Sequence, residues 1–174
     1  MNSYSLYIHI PWCIEKCPYC DFNSHAVTQA VDEAAYLKAL LDDFSQDLSY
    51  ISGRLLTSIF IGGGTPSILS PEFYGQLLGQ LQQLTGFDET TEITLEANPG
   101  TADASNFRGY REAGINRLSM GFQSLQDEKL QLLGRIHDAA QAMQAFEMAR
   151  AAGFGNINID LMFALPGQSV EQAL

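Results

Sequence analysis

With 174 residues, 46% of them hydrophobic, the chain is long enough for one globular domain with a real core, and no apolar run approaches the roughly 20 residues needed to span a bilayer. A formal net charge of -11 opposes polyanions, whose binding needs Lys and Arg to neutralise phosphates, so nucleic acid is not expected as the main partner. No secretion-type leader opens the sequence, and three cysteines make an odd count unsuited to a secreted disulfide framework; a cytoplasmic protein with no transmembrane segment is expected.

In chain order, a first strand at Ser5–Ile10 runs into HIPWCIEKCPYCDF, residues 9–22, which holds Cys13, Cys17 and Cys20. Leu37, Leu41, Phe44, Leu48 and Ile51 then step by three and four, the spacing of one helix face, and Gly53 can end that helix. A second strand at Ser58–Ile61 delivers GGGTPS. Ser70 and Pro71 supply an N-cap and first helical residue, with Leu77, Leu78, Leu81 and Leu84 predicted as the buried face before Gly86. A third strand at Glu92–Ala97 leads to a helix near 103–113 that stops at Gly114. The fourth strand is Arg117–Phe122; a helix near 138–152, carrying Met143 and Phe146, precedes the fifth at Asn156–Met162. Ser169 and Gln172 form a capping box, announcing a helix cut short at Leu174, so a fragment of a longer protein is expected.

This alternation predicts an α/β fold: about five βα units of a partial, TIM-like (β/α) barrel with parallel strands, all in one core domain over 1–174. Strand parity sharpens the expectation. Leu6, Ile8, Ile10, Ile93, Leu95, Ala97, Leu118, Met120, Phe122, Ile157, Ile159 and Leu161 share the parity expected to face the helices. The opposite parity holds Tyr7, His9, Thr94, Glu96, Ser119, Gln123, Asn158 and Asp160. Packing alone would fill a barrel lumen with branched apolar residues, because buried polar groups cost free energy unless paired. Polar lumen positions across four strands point to a ligand.

The spacing C-x-x-x-C-x-x-C lets one short loop reach three corners of a 4Fe-4S cubane, with Pro11 and Pro18 restricting the loop. One iron is then left open for a small bidentate ligand such as the amino and carboxylate groups of S-adenosylmethionine. The competing reading is a tetrahedral zinc site with His25 or His9 as fourth ligand, although structural zinc ligands usually come as two separated pairs.

YIHIPWCIEKCPYCDFNSH resembles the cluster loop of radical S-adenosylmethionine (radical SAM) proteins, in the branch that contains the anaerobic coproporphyrinogen III dehydrogenases and a heme chaperone, the HemN/HemW branch. The resemblance runs from Tyr4 to the end of the sequence. It implies that Cys13, Cys17 and Cys20 carry the cluster and that Gly63, Gly64 and Thr65 of GGGTPS cradle the methionine part of S-adenosylmethionine. It also implies cofactor contacts for Tyr7, Glu96, Gln123, Arg135 and Asp160. Chemistry is consistent: Arg135 can pair with a carboxylate, Asp160 can accept from ribose hydroxyls, Gln123 can do both, and Glu96 can meet an ammonium. By local sequence alone, Arg135, after Gly134 in a helix–helix junction, reads as a solvated or carbonyl-capping arginine, and His25 and His137 as surface residues.

The resemblance further implies capacity for reductive cleavage of S-adenosylmethionine, with an electron donor for the cluster. The dehydrogenase pattern extends the motif by a fourth cysteine two residues past the third, where this chain has Phe22, and it carries a segment ahead of the first barrel strand. Both departures favour the heme chaperone, with heme as cargo and an apo-hemoprotein as acceptor. The alternatives are the dehydrogenase itself and an RNA-modifying radical enzyme, the latter disfavoured by the acidic balance.

Overall fold

The computed structural model describes residues 3–101 and 103–173. Five strands, β1 (Ser3–Ile10), β4 (Leu55–Gly63), β5 (Glu92–Ala97), β6 (Arg117–Gln123) and β7 (Asn156–Leu161), form one parallel sheet in chain order. Two-residue strands β2 (Trp12–Cys13) and β3 (His25–Ala26) pair with each other and pin the two ends of the cysteine loop. Helices α1 (Glu33–Ile51), α2 (Pro71–Thr85), α3 (Ala104–Glu112), α4 (Asp127–Leu132) and α5 (Ala139–Ala151) connect the long strands. Each strand thus pairs with the one before it across a helical crossover, the winding of a βα barrel, with β1 and β7 as edges among the described residues. Among those residues no helix is long and apolar enough to cross a membrane.

Helix starts and stops follow local chemistry. Asp32 accepts from the Ala35 N–H, Ser70 from Phe73 and Asp103 from Ser105 and Asn106, each satisfying donors that a helix leaves open. Gly86 ends α2 in the left-handed conformation at φ 70°. The capping box of Ser169 and Gln172 is made, opening the one-turn α6 (Val170–Ala173); Leu174 lies outside the described residues.

The helix-facing parity is as expected for β1, β5 and β6: Ile8, Ile10, Ile93, Leu95, Ala97, Leu118, Met120 and Phe122 are all buried, joined by Ile59 and Ile61 of β4. On β7, however, Ile159 and Leu161 are exposed, since only the single turn of α6 follows that strand among the described residues. Leu84, predicted on the buried face of its helix, instead faces solvent (46% exposed), as does Met143 of α5 (47%). α5 packs instead through Ala142, Ala145 and Ala149, each fully buried. Small side chains let its backbone approach the sheet closely, so a large apolar residue on that helix is not needed for its contact.

Two buried tyrosines fix the segment that leaves the glycine-rich turn. Tyr74 of α2 donates to the Pro66 carbonyl at 2.7 Å, and Tyr110 of α3 to the carbonyls of Ser67 (3.0 Å) and Leu69 (2.8 Å). Burial raises both phenols, so they remain donors at any physiological pH. Ser67 in turn bonds Thr101 and the Asn98 N–H, tying the exit of β4 to the exit of β5.

Candidate functional site

At the C-terminal ends of the strands the chain encloses a cavity of about 370 Å³. Its wall is shared by Cys13, Cys17 and Cys20 of the first loop, Gly63, Gly64 and Thr65 after β4, Glu96 of β5, Gln123 of β6, Arg135 of the α4–α5 junction and Asp160 of β7. Residues as far apart in sequence as Cys13 and Asp160 therefore meet in one place. Tyr7 does not line this cavity. It stands lower on edge strand β1, 56% exposed, stacked on Phe60 and hydrogen-bonded to Nδ1 of His9.

The cysteine loop is shaped by its own backbone and two side chains. The Cys20 N–H donates to the Cys17 carbonyl (3.1 Å), and β2–β3 pairing is extended by Val27 N–H to the Cys13 carbonyl (2.8 Å). Three successive carbonyls of the return segment are then held: Phe22 and Ser24 accept from the Lys16 ammonium, and Asn23 from Nε2 of His9 at 2.7 Å. His9 is thus committed to the loop's backbone and to Tyr7, and His25 is an exposed residue of β3. Among the described residues no three His, Cys, Asp or Glu side chains stand close enough to share one metal ion. A mononuclear zinc needs ligands that converge on one point, whereas a cubane takes each thiolate on a different iron.

The glycines of GGGTPS are required by the protein itself. A Cβ on Gly64 would lie 2.4 Å from the Trp12 carbonyl oxygen, and one on Gly63, whose φ is +116°, would lie 2.7 Å from the His9 ring. The N–H groups of Gly64 and Thr65 donate to the carbonyls of Ile10 and Trp12, and that of Gly63 to Glu96 Oε2 at 3.1 Å. All three amides are used internally, so none is free to donate to a ligand in the cavity.

The remaining polar groups are pre-aligned. Asp160 accepts from the Asn158 amide (2.7 Å) and the Ser119 hydroxyl (3.3 Å), one oxygen each. Gln123 has φ +66° at a register shift between β6 and β7, a left-handed backbone uncommon for a non-glycine, at the end of β6 that borders the cavity. Glu96 is held above the usual carboxylate range, first by desolvation and then by the Asp160 charge, against which the Gly63 N–H works. Arg135 donates from Nη2 to the Gly121 carbonyl (2.8 Å) and from Nη1 to Cys17 Sγ (3.5 Å), while its Nε is buried with no partner. A buried donor without an acceptor is costly, and a bound carboxylate would supply one.

His137 differs from the surface residue expected. It is 4% exposed, with its ring 3.3 Å from Asn98 Oδ1 and from the Phe122 carbonyl, and desolvation lowers its pKa. Sequence reading also passed over Lys16, Tyr19 and Asn98, all on the cavity wall. Lys16 and Tyr19 had a usable signal, since they lie between the cysteines. Asn98 had only its place at the end of a barrel strand.

The sequence matches the family model described as the radical SAM superfamily over residues 7–174. The chain belongs to the radical SAM superfamily. A radical SAM site implies S-adenosylmethionine and a 4Fe-4S cluster; three thiols lining one cavity with the orphan Arg135 donor are donor and acceptor types of the kind these groups need. Among curated relatives it is similar to the heme chaperone HemW of Haemophilus influenzae, at 53% identity over 98% of this chain and 45% of the relative. It is 50% identical to HemW of Escherichia coli, again over 98% of this chain and 45% of that protein. The solved radical SAM enzyme HemN, the coproporphyrinogen III oxidase of Escherichia coli, superposes with a TM-score of 0.88 at 32% identity, covering 98% of this chain and 39% of that one. The chain spans less than half the length of these relatives, and its open five-stranded sheet is accordingly a partial barrel.

Proposed function

We propose that this chain is the N-terminal part of the radical SAM core of a cytoplasmic heme chaperone, which binds heme and passes it to an apo-hemoprotein. The observation that carries this reading is the 53% and 50% identity to two proteins named heme chaperone, set against 32% to the solved oxidase. Phe22, 64% exposed on the cavity wall where the dehydrogenase pattern has cysteine, supports the same choice.

In this reading Cys13, Cys17 and Cys20 hold the cluster, and the cavity takes S-adenosylmethionine. Together, when bound, these groups supply one-electron chemistry, with the electron delivered by an external donor. The protein's own residues orient and shelter. Arg135 Nε would meet the methionine carboxylate, Glu96 the amino group, and Asp160 and Gln123 the ribose hydroxyls. Thr65 lines the cavity beside the glycines, and Tyr7 would act on the site only through its hydrogen bond to His9. A second reading, the oxygen-independent coproporphyrinogen III dehydrogenase, is favoured by the 0.88 superposition on HemN.

Paired assays on the full-length protein decide between them. Heme titration followed by transfer to an apo-acceptor is expected to succeed, and incubation with coproporphyrinogen III and S-adenosylmethionine is expected to leave the porphyrinogen unchanged. A vinyl-bearing product without heme transfer would reverse the assignment.

Glu96 gives this site a pH dependence. A cationic ligand pairs with the ionised carboxylate, so below the raised pKa each bound ligand must displace a proton. Affinity for S-adenosylmethionine is expected to fall by up to about tenfold per pH unit on the acid side of that value, which lies above the ordinary 4.5. Calorimetric titration across pH 5–8 on E96Q should show a flatter profile; an unchanged slope would remove Glu96 from ligand binding.

A further inference from the structure

Arg135 is placed by packing as well as by hydrogen bonds. Gly134 before it has φ +65°, and a Cβ there would stand 2.9 Å from Cδ of Pro18, so the α4–α5 junction lies directly against the cysteine loop. The guanidinium is anchored through Nη2 on the Gly121 carbonyl, which leaves Nη1 directed at Cys17 Sγ and Nε open. Tyr19 lies beside both Arg135 and Cys17. A carboxylate contact through Nε does not require the sulfur contact to be given up.

We infer that Arg135 is a positioning residue of the iron-sulfur centre, donating from Nη1 to the Cys17 sulfur and thereby making the cluster easier to reduce before any ligand arrives. A cationic N–H on a ligating thiolate stabilises the more negatively charged state. The reduced cluster carries one more electron than the oxidised cluster, so the contact favours reduction and raises the potential. An arginine that only capped the Gly121 carbonyl would act on the ligand-free potential through its charge alone, an effect that R135Q loses and R135K keeps.

The inference rests on the reading that the three cysteines hold a four-iron cluster, and the experiment separates the two. Full-length protein, unaltered and as R135Q and R135K, is reconstituted anaerobically and assayed for iron and sulfide. It is then titrated with dithionite as the one-electron donor, without S-adenosylmethionine, following the reduced cluster by electron paramagnetic resonance. Loaded R135Q is expected to show a reduced-to-oxidised ratio about tenfold lower at the same poise, a midpoint roughly 59 mV more negative. R135K is expected to fall between, because a lysine keeps the charge without the two fixed donors. A purely structural role would lower iron content in both variants without moving the potential of the loaded fraction. Normal iron with an unmoved potential in R135Q overturns the inference alone. R135K at the unaltered potential does the same, whether or not R135Q loads iron, because charge alone then accounts for any shift in R135Q. Unaltered protein that assembles no cluster overturns the cysteine reading and this inference together.

Discussion

Replacing Cys13, Cys17 or Cys20 with alanine in the full-length protein is expected to abolish the cluster outright, taking anaerobically reconstituted material from roughly four irons per chain to near none. Two thiolates and a loop cannot hold a cubane that already gives up one corner to an exchangeable ligand. The effect on folding should be much smaller and unequal. Cys17 and Cys20 are partly exposed on a turn, so C17A and C20A should melt within a few degrees of the unaltered apoprotein. Cys13 is buried in β2, and losing its sulfur costs about 1 kcal/mol of packing. Iron content and melting temperature together check the claim: a variant that keeps its iron would show that its cysteine is no ligand.

The second large effect is expected at Gly64. In G64A the new methyl would sit 2.4 Å from the oxygen and 2.8 Å from the carbon of the Trp12 carbonyl group. These are backbone atoms, and they are held in place by the bonds from Thr65 N–H to Trp12 and from Gly64 N–H to Ile10, the latter at 2.7 Å. No rotamer change relieves the overlap; the exit of β1 must separate from the exit of β4. The cost is about 3 kcal/mol or more, which for a domain of this size lowers the melting temperature by roughly 6–12 °C. Because Trp12 precedes Cys13, cluster loading should fall with it. Gly75 is the control: on α2, with nothing within 4 Å of its Cβ position, G75A should stabilise by about 0.5–1 kcal/mol. If both variants melt alike, the close approach at Gly64 is not what requires glycine.

Much of this site was legible in order of residues because barrel strands alternate faces and deliver function at their C-terminal ends. Glu96, Gln123 and Asp160 share the lumen parity and end up on one cavity wall. The glycines of GGGTPS were legible as to position but not as to cause: the expected close approach to a ligand proved first to be a close approach to Trp12 and His9. Leu84 was read as core because apolar spacing on a helix does not reveal whether a neighbouring element covers that face. His137 was read as surface because burial of a junction residue depends on what packs over it, here the ends of β5 and β6.

What the amino-acid order determined alone was periodic or contiguous: the βα alternation, the helix caps, the lumen parity and three thiols within one loop. These depend on backbone repeats and on neighbours a few residues away, which local chemistry dictates. Tertiary structure alone decided that Arg135 reaches the sulfur of Cys17 across 118 positions, and that Lys16 and His9 together hold the loop's returning carbonyls. Such contacts arise from the register of parallel strands and the packing of distant turns, and no local spacing encodes them.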